Sequence, residues 1–278
     1  MRRLATPALS LATLLLAATT LTAQSSRSSE SDAEWLERCR NGTYGNRWDG
    51  GHACEVREVA VRRDVRSLSV DGSDNGGVSA TAWERDSVHV SARIQTSAET
   101  QAEAERLLRE VRVESTGGTI RATGPRGGTS HPRWTVSFDA YVPRRMDLDL
   151  RTRNGGVRVQ EVVGRMTLET ENGGIALRGV GGDVRAHAEN GGLSVQLTGT
   201  RWEGAGLNAE TQNGGVRLVI PERYSARLET GTTNGGIKTD FPITVSGRIS
   251  RHLSLTLGSG GAPVRATTTN GGVSIERE

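Results

Sequence analysis

Aromatic residues are scarce in this sequence, and lysine is almost absent. Phe, Trp and Tyr make up 4% of the 278 residues, and Lys238 is the single lysine among 35 basic residues. A core built from this chain must therefore be mainly aliphatic. The arginines are interspersed with 32 Asp and Glu residues, which is typical of a mixed-charge surface and not of the basic stripe that binds nucleic acid. We predict no nucleic-acid partner.

Long apolar runs are also missing, since no stretch reaches the ~18 consecutive apolar residues of a membrane-spanning helix. Residues 1–23 contain Arg2 and Arg3, then a short apolar run over 9–16, then small residues ending at Ala23. This order predicts a secretory signal peptide over 1–23. The alternative, a membrane anchor, is disfavoured because the run is too short to cross a bilayer. We expect no membrane span and export to the periplasm or the cell surface.

Cysteine is limited to Cys39 and Cys54. Two closely spaced cysteines in an exported chain predict a disulfide, which contributes roughly 3 kcal/mol for a loop of this size. The alternative is a metal site with His52 as a third ligand, but the wide spacing and the lack of a second ligand pair disfavour it. We predict no metal and no cofactor, and we assign residues 24–55 to a polar linker followed by the disulfide segment.

Residues 56–278 form a predicted β-repeat domain. The first part of this domain contains short runs in which apolar and polar residues alternate, as at Leu68 and Val70. Gly, Asp and Asn separate these runs. A period of two with turn residues between the runs is typical of strands.

One segment of this domain has helical spacing instead. Apolar residues recur at i, i+3, i+4 and i+7 within residues 97–111, and Thr96 with Glu99 matches a capping box. We predict one amphipathic helix over 97–111. Its narrow apolar stripe and mixed charge favour packing against the sheets, and a membrane-surface or partner-binding helix is the alternative.

The triplet Asn-Gly-Gly occurs six times in the second half of the chain, with a basic period near 18 residues and insertions between the later copies. The positions six before and three after each Asn are apolar in every copy. The positions four before and five after it are apolar in all copies but one. Each copy therefore joins two half-buried strands. The predicted turn residues are Asn154 and Gly155, Asn172 and Gly173, Asn190 and Gly191, Asn213 and Gly214, Asn234 and Gly235, and Asn270 and Gly271.

The triplets must redirect the chain, because the parity of the buried positions changes across each one. Gly accepts positive φ and Asn tolerates the left-handed region, so we expect tight corners. A mostly β fold satisfies the pattern in two ways. Each repeat forms one coil of a β-solenoid or two-sheet β-roll, or the triplets close the hairpins of an antiparallel β meander or sandwich. The recurrence of whole repeats, including Thr or Ala two residues before each Asn, favours the solenoid.

The order of these features resembles the bacterial putative-adhesin domains of unknown function. The stretch FDAYVPRRMDLDLRTRNGG, the train of Thr-x-Asn-Gly repeats and the stretch RLVIPERYSARLETGTTNGGIKTDFP carry the resemblance, which covers roughly residues 59–278. The resemblance implies a solenoid-like protein of the cell envelope, and it supplies no catalytic residues. The cysteine segment and the doubled Gly after nearly every repeat Asn depart from the family pattern.

No catalytic constellation is evident. The five histidines are scattered, although His187 is expected in an outward row between Glu169 and Glu210 of neighbouring repeats. This row is either a carboxylate and histidine site or a solvated charge ladder, and the ladder is favoured. Residues 71–77 resemble a calcium loop, but Ala82 stands where a bidentate Glu is required, so we interpret them as a turn.

The tryptophans are spread along the chain, and most are expected to pack in the core or at strand edges. Trp202 lies in an insertion over residues 200–206, where a longer loop leaves the repeats. Because loops that leave a regular scaffold often carry binding residues, Trp202 is the candidate surface contact.

Three functional hypotheses follow. The first is a non-enzymatic, exported, adhesin-like scaffold or interaction module that contacts envelope proteins or glycans. The alternatives are a sensor of envelope stress and a solenoid enzyme that acts on polysaccharide with acid and base carboxylates. The sequence favours the first, and it leaves the partner and the oligomeric state open.

Overall fold

A computed structural model describes residues 30–41, 50–125, 133–240 and 251–278. The predicted signal peptide over 1–23 lies outside the described residues. The chain divides into a unit Met1–Ser31 and a unit Asp32–Glu278, and the description below concerns the second unit.

Two helices and twenty strands occur within the described residues. The helices are α1 (Asp32–Arg40) and α2 (Gln101–Glu110). The strands are β1 (Gly51–Val59), β2 (Ser67–Asp71), β3 (Val78–Trp83), β4 (His89–Ala98), β5 (Arg112–Thr116), β6 (Thr119–Thr123), β7 (Arg133–Pro143), β8 (Asp147–Thr152), β9 (Val157–Gln160), β10 (Val163–Asn172), β11 (Ile175–Arg178), β12 (Gly181–Asn190), β13 (Leu193–Gln196), β14 (Gly206–Asn213), β15 (Val216–Ile220), β16 (Ala226–Asn234), β17 (Ile237–Thr239), β18 (His252–Leu257), β19 (Pro263–Asn270) and β20 (Val273–Arg277).

The described strands form two ten-stranded sheets. Sheet 1 has the order β1-β4-β7-β3-β9-β11-β13-β15-β20-β17, and sheet 2 has the order β18-β16-β19-β14-β12-β10-β8-β2-β6-β5. Each repeat places one strand in sheet 2 before its triplet and one in sheet 1 after it. The repeat strands pair in parallel, and Met166 lies opposite Leu148 on one side and Val184 on the other. This arrangement is the predicted two-sheet solenoid, and the fold prediction is confirmed.

The core lies between the sheets, where inward side chains from both sheets form one continuous cluster. It is aliphatic, as the composition requires. The positions six residues before each repeat Asn are all buried and stack in register along sheet 2: Leu148, Met166, Val184, Leu207, Leu228 and Val264. Side chains at the intervening positions face outward, so one face of each repeat strand is buried and the other is wet.

The coils do not stack in strict chain order. Strand β19 pairs with β14 on one side and β16 on the other, and β20 likewise lies between β15 and β17. The last repeat is therefore inserted between the fourth and the fifth. The antiparallel strand β18 covers β16, so the position beyond β16 in sheet 2 is already taken when the chain returns. The expectation that successive repeats stack on each other holds for the first four only.

The second helix is shorter than predicted. Its N-cap is Thr100, whose side chain accepts a hydrogen bond from the Glu103 amide at 3.2 Å. The predicted cap Thr96 lies in β4, is buried, and donates to the Ala104 carbonyl at 2.8 Å. The predicted start of the helix was therefore wrong by one turn, because strand pairing holds residues 97 and 98 in β4.

An additional helix, α1, lies in the segment that the sequence assigned to linker and disulfide. Cys39 of α1 is joined to Cys54 of β1 with a Cα to Cα distance of 6.3 Å, as predicted. Trp35 and Cys39 are buried. Strand β1 spans the expected boundary at residue 55 and pairs with β4, so this segment belongs to sheet 1. Neither described helix has the length and apolar character needed to cross a membrane.

Candidate binding cleft

The Asn-Gly-Gly corners form a continuous ladder along one edge of the stack. Each of the six repeat Asn residues donates from Nδ2 to Oδ1 of the Asn in the adjacent coil, over distances of 2.8 to 3.3 Å. In spatial order the ladder runs Asn75, Asn154, Asn172, Asn190, Asn213, Asn270 and Asn234. The first member, Asn75, belongs to residues 71–77, which the sequence pattern predicted to be a turn.

The first glycine of each triplet is required by close approach of adjacent coils. A Cβ atom on Gly173 would overlap the carbonyl oxygen of Gly155, and a Cβ on Gly191 would overlap that of Gly173. The threonine two residues before the Asn uses the same carbonyl row, since Thr170 Oγ1 donates to Gly155 O at 2.8 Å. Ala188 cannot make this bond, so its coil lacks one rung of the threonine row.

The expected backbone reason for these glycines was wrong. Among the described Asn-Gly-Gly triplets, only Gly76 has a φ in the left-handed region, at 139°. The Asn and Gly residues of the six predicted repeats have φ values that other residues adopt freely. Space between coils, and not a left-handed turn, therefore excludes a side chain at the first glycine.

A cleft of about 750 Å³ opens on the outer face of sheet 2, where β12, β10, β8, β2 and β6 lie side by side. The side chain of Trp134, at the start of β7, forms one wall of the cleft. The indole Nε1 donates to Pro125 O at 2.8 Å, and Gly124 leaves room for the ring. The charged side chains that line the cleft are Asp71, Asp74, Arg121, Arg151, Arg153, Glu169, Glu171, His187 and Glu189.

The arginines of the cleft are held by carboxylates. Arg151 Nε lies 2.9 Å from Asp149 Oδ1, and its Nη1 lies 3.6 Å from Glu169 Oε2. Arg153 Nε lies 3.0 Å from Glu171 Oε2, and its Nη1 lies 3.4 Å from Asp74 Oδ1. The hydrogen bonds to these acids raise the pKa values of both guanidinium groups further above their usual range.

The remaining arginine, Arg121, lies 3.4 Å from Asp71. Five carboxylates line the cleft against three arginines, and no ion pair to Glu189 occurs within the described residues. The cleft therefore carries an excess of negative charge, together with an aromatic wall. Such a surface suits a ligand that brings cationic or hydroxyl groups.

The structure places His187 where the repeat pattern predicts. It lies directly between Glu169 and Glu210 in the register of β10, β12 and β14, and it lines the cleft together with Glu169. Glu210 is 3.9 Å from Arg265 of the next coil. The outward row of Glu169, His187 and Glu210 is thus part of a ladder of charged side chains. No group of His, Cys, Asp and Glu within the described ranges has the geometry of a metal site.

The candidate surface contact Trp202 is not at the surface. Its exposed fraction is 6%, it belongs to the main core cluster, and its Nε1 donates to Gly182 O at 3.0 Å. The insertion folds back over the sheets because a large apolar ring is more stable in the core. This residue therefore cannot provide a binding surface.

A family model described as Toastrack DUF4097 matches residues 63–276. The chain belongs to this family. The match spans both sheets of the Toastrack domain, from the segment before β2 to β20. It also agrees with the resemblance to putative-adhesin domains that the repeats carry. No curated protein matches the chain significantly.

Solved structures similar to this chain include a putative cell adhesion protein from Clostridium sporogenes, at 11% identity and a TM-score of 0.44, with coverage of 81% of this chain and 100% of that one. A putative adhesin from Bacteroides fragilis has 9% identity and a TM-score of 0.30, with coverage of 81% and 97%. A putative lipid binding protein from Parabacteroides distasonis has 11% identity and a TM-score of 0.31, with coverage of 83% and 98%.

The sequence did not predict the cleft, although Glu169, His187 and residues 71–77 were singled out for other reasons. Arg153, Glu171 and Glu189 each directly precede a ladder Asn. The recurrence of a charged residue at this repeat position was a signal from which the cleft could have been predicted. Trp134 and Arg121 come from elements outside the repeats. Only the sheet order brings these elements beside the repeat coils.

Proposed function

We propose that this protein is an exported, non-enzymatic, adhesin-like interaction module of the cell envelope, and that the cleft on sheet 2 binds a basic segment of an envelope protein. The observation that carries the proposal is the charge of the cleft, in which five carboxylates outnumber three arginines that are already paired. The resemblance of the repeats to those of putative-adhesin domains is consistent with this role.

The rigidity of the cleft supports a binding role. Its charged rows stand on adjacent parallel strands in register, and the asparagine ladder fixes the neighbouring corners. A preorganised surface loses little conformational entropy on binding, so even modest contacts contribute to affinity. The arginines position the acids through ion pairs, and the acids then face the partner.

Retention on the producing cell's envelope tests the proposal. The mature chain, residues 24–278, is expected to bind an envelope preparation, and pretreatment of the preparation with protease is expected to remove binding. The variant Glu169→Gln/Glu171→Gln/Glu189→Gln is expected to lose at least about tenfold in affinity. The control variant Glu99→Gln/Glu114→Gln removes exposed carboxylates elsewhere and is expected to bind normally.

Two results would contradict the proposal. One is the absence of any retained protein on intact envelope material. The other is equal retention of the triple variant and the control. Export is tested separately by fusing residues 1–23 to a reporter enzyme that is active only outside the cytoplasm, where activity is expected and its absence would refute export.

A further inference from the structure

Three ring side chains gather on the outer face of sheet 1. Trp83 ends β3, His89 begins β4 and Tyr141 lies in β7. Their ring centroids are 5.7 Å apart for Trp83 and Tyr141, 6.0 Å for Trp83 and His89, and 6.2 Å for His89 and Tyr141. The whole chain has five Trp, three Tyr and two Phe, so such a cluster on an outward face is informative. We call these three residues the aromatic patch.

The strands determine this grouping. Strand β7 lies between β3 and β4, and Tyr141 lies opposite His89 on one side and Thr81 on the other. Its neighbours Ala140 and Val142 are buried in the core, so Tyr141 is on the outer face. The rings are only half-buried, and the His89 side chain is 41% exposed.

The patch is held in place before any ligand binds. Trp83 Nε1 donates to Ser87 O at 2.7 Å, which fixes the indole ring. His89 Nδ1 lies 3.3 Å from Glu58 Oε2, which fixes the imidazole ring. Ordered rings bind with a smaller entropic cost than mobile ones.

Polar groups surround the rings. The Glu58 side chain is 66% exposed beside His89, and the Arg85 guanidinium lies 4.8 Å from the centroid of Trp83. Glu84 and Asp86 are exposed in the same turn as Arg85. Acids outnumber bases here, so an anionic polymer, including nucleic acid or an acidic glycan, would be repelled.

The geometry also distinguishes a sugar from a cation. The ring planes are inclined to each other by 30° to 33°, so the patch is a set of moderately tilted rings and not a box of steeply inclined rings that encloses a charge. The Arg85 guanidinium already makes a cation–π contact with Trp83. We propose that the aromatic patch binds a neutral hexopyranose chain of a cell-surface polysaccharide. The C–H groups of the sugar ring pack against the π faces.

The surrounding polar groups give the sugar its orientation. Glu58 accepts hydrogen bonds from hydroxyl groups, and Arg85 donates to hydroxyl oxygens. This division of roles, with apolar ring contact and a few polar groups at the rim, is typical of small-ligand sites. The site is separate from the cleft on sheet 2, and it does not depend on the basic partner proposed there.

Titration of the mature chain with cellohexaose and maltohexaose, followed by tryptophan fluorescence and calorimetry, tests this proposal. At least one of these neutral oligosaccharides is expected to bind, whereas hexagalacturonate and tetramethylammonium are not. Trp83→Leu and Tyr141→Leu are each expected to weaken binding by at least about tenfold. Glu58→Gln is expected to weaken it less, because it retains an acceptor oxygen.

The control for these variants is Trp202→Phe, which changes a buried ring of the core and is expected to bind the oligosaccharide within about twofold of the parent. Chemical shifts of the ring protons of Tyr141 in the unaltered protein give a readout that needs no variant. The proposal is overturned if neither neutral oligosaccharide binds, if the acidic chain or the quaternary amine binds as well, or if the Tyr141 resonances do not move at saturation.

Discussion

The side-chain amide of Asn270 donates a hydrogen bond to Oδ1 of Asn213 at 2.8 Å, although 57 residues separate them in the chain. Asn234, which comes between them in sequence, donates to Asn270 instead. The last repeat has thus inserted into the stack. The last three repeats in sequence all present the same asparagine, glycine and threonine groups at their edges, so one of them can take the place of another without losing these bonds.

The asparagine ladder should contribute measurably to stability. Asn172 donates to Asn154 and accepts from Asn190, whereas Asn234 at the end makes one ladder bond within the described residues. Asn172→Ala is expected to lower the free energy of unfolding by about 1 to 2 kcal/mol, and Asn234→Ala by about half as much. Urea denaturation measures both values. Asn208→Ala, at an exposed position outside the ladder, is the control, and a loss there as large as at Asn172 would argue against the ladder.

The glycine requirement should differ between the two glycines of one triplet. A Cβ on Gly235 would overlap the Gly271 carbonyl oxygen, whereas a Cβ on Gly236 meets nothing within 4 Å. Gly235→Ala is therefore expected to lower the free energy of unfolding by about 1 to 3 kcal/mol, and Gly236→Ala to change it by less than about 0.5 kcal/mol. Thermal and urea unfolding check the pair. Equal effects would show that coil spacing is not the reason for the first glycine.

Trp202 should behave as a core residue. Replacing it by Ala is expected to cost about 3 to 5 kcal/mol, because a large buried side chain leaves a cavity. Trp202→Phe fills most of the space and loses the bond to Gly182, so a loss of roughly 1 to 2 kcal/mol is expected. Denaturant unfolding measures both. If Trp202→Ala left stability unchanged but abolished retention on envelope material, the residue would be a surface contact after all.

The buried phenol of Tyr224 should make the protein sensitive to alkali. Burial raises the pKa of Tyr224 from 10.0 to about 12, because the charged form loses its hydration. The raised pKa contributes stability that is fully present below about pH 10 and is lost as the pH rises toward about 12.

Between about pH 9 and pH 11.5, this loss is expected to reach roughly 2 kcal/mol, given about 1.4 kcal/mol per pKa unit. Urea unfolding at the two pH values measures it. Tyr224→Phe is expected to remove this component of the pH dependence. An unchanged alkaline loss in that variant would assign the effect to other groups.

The sequence predicted those parts of the fold that depend on local spacing. The apolar residues at fixed distances from each Asn are buried as expected, apart from the half-buried Ile237, and the cysteines pair. It could not predict the insertion of the last repeat, because Asn270 and Asn234 offer the same chemistry to Asn213. Which of these two repeats stacks on Asn213 depends on β18, which occupies the outer edge of β16.

The helix and the cleft show two other limits. Thr96 and Thr100 are each followed by Glu three residues later, and only the pairing of β4 with β1 and β7 shows that Thr96 belongs to a strand. Trp134 and Arg121 reach the cleft through the order of strands in two sheets. Such long-range placement is set by the packing of the whole chain and leaves no periodic signal in the sequence.

Cysteine cross-linking tests the stacking of the coils most directly. Ser274 lies opposite Arg217 on one side and Lys238 on the other. Arg217→Cys/Ser274→Cys and Lys238→Cys/Ser274→Cys are therefore expected to form disulfides under mild oxidation, since neighbouring strands are about 4.8 Å apart. Arg217→Cys/Lys238→Cys is expected to remain reduced, because the last coil lies between them. Efficient cross-linking of that third pair, without the other two, would contradict the inserted stack.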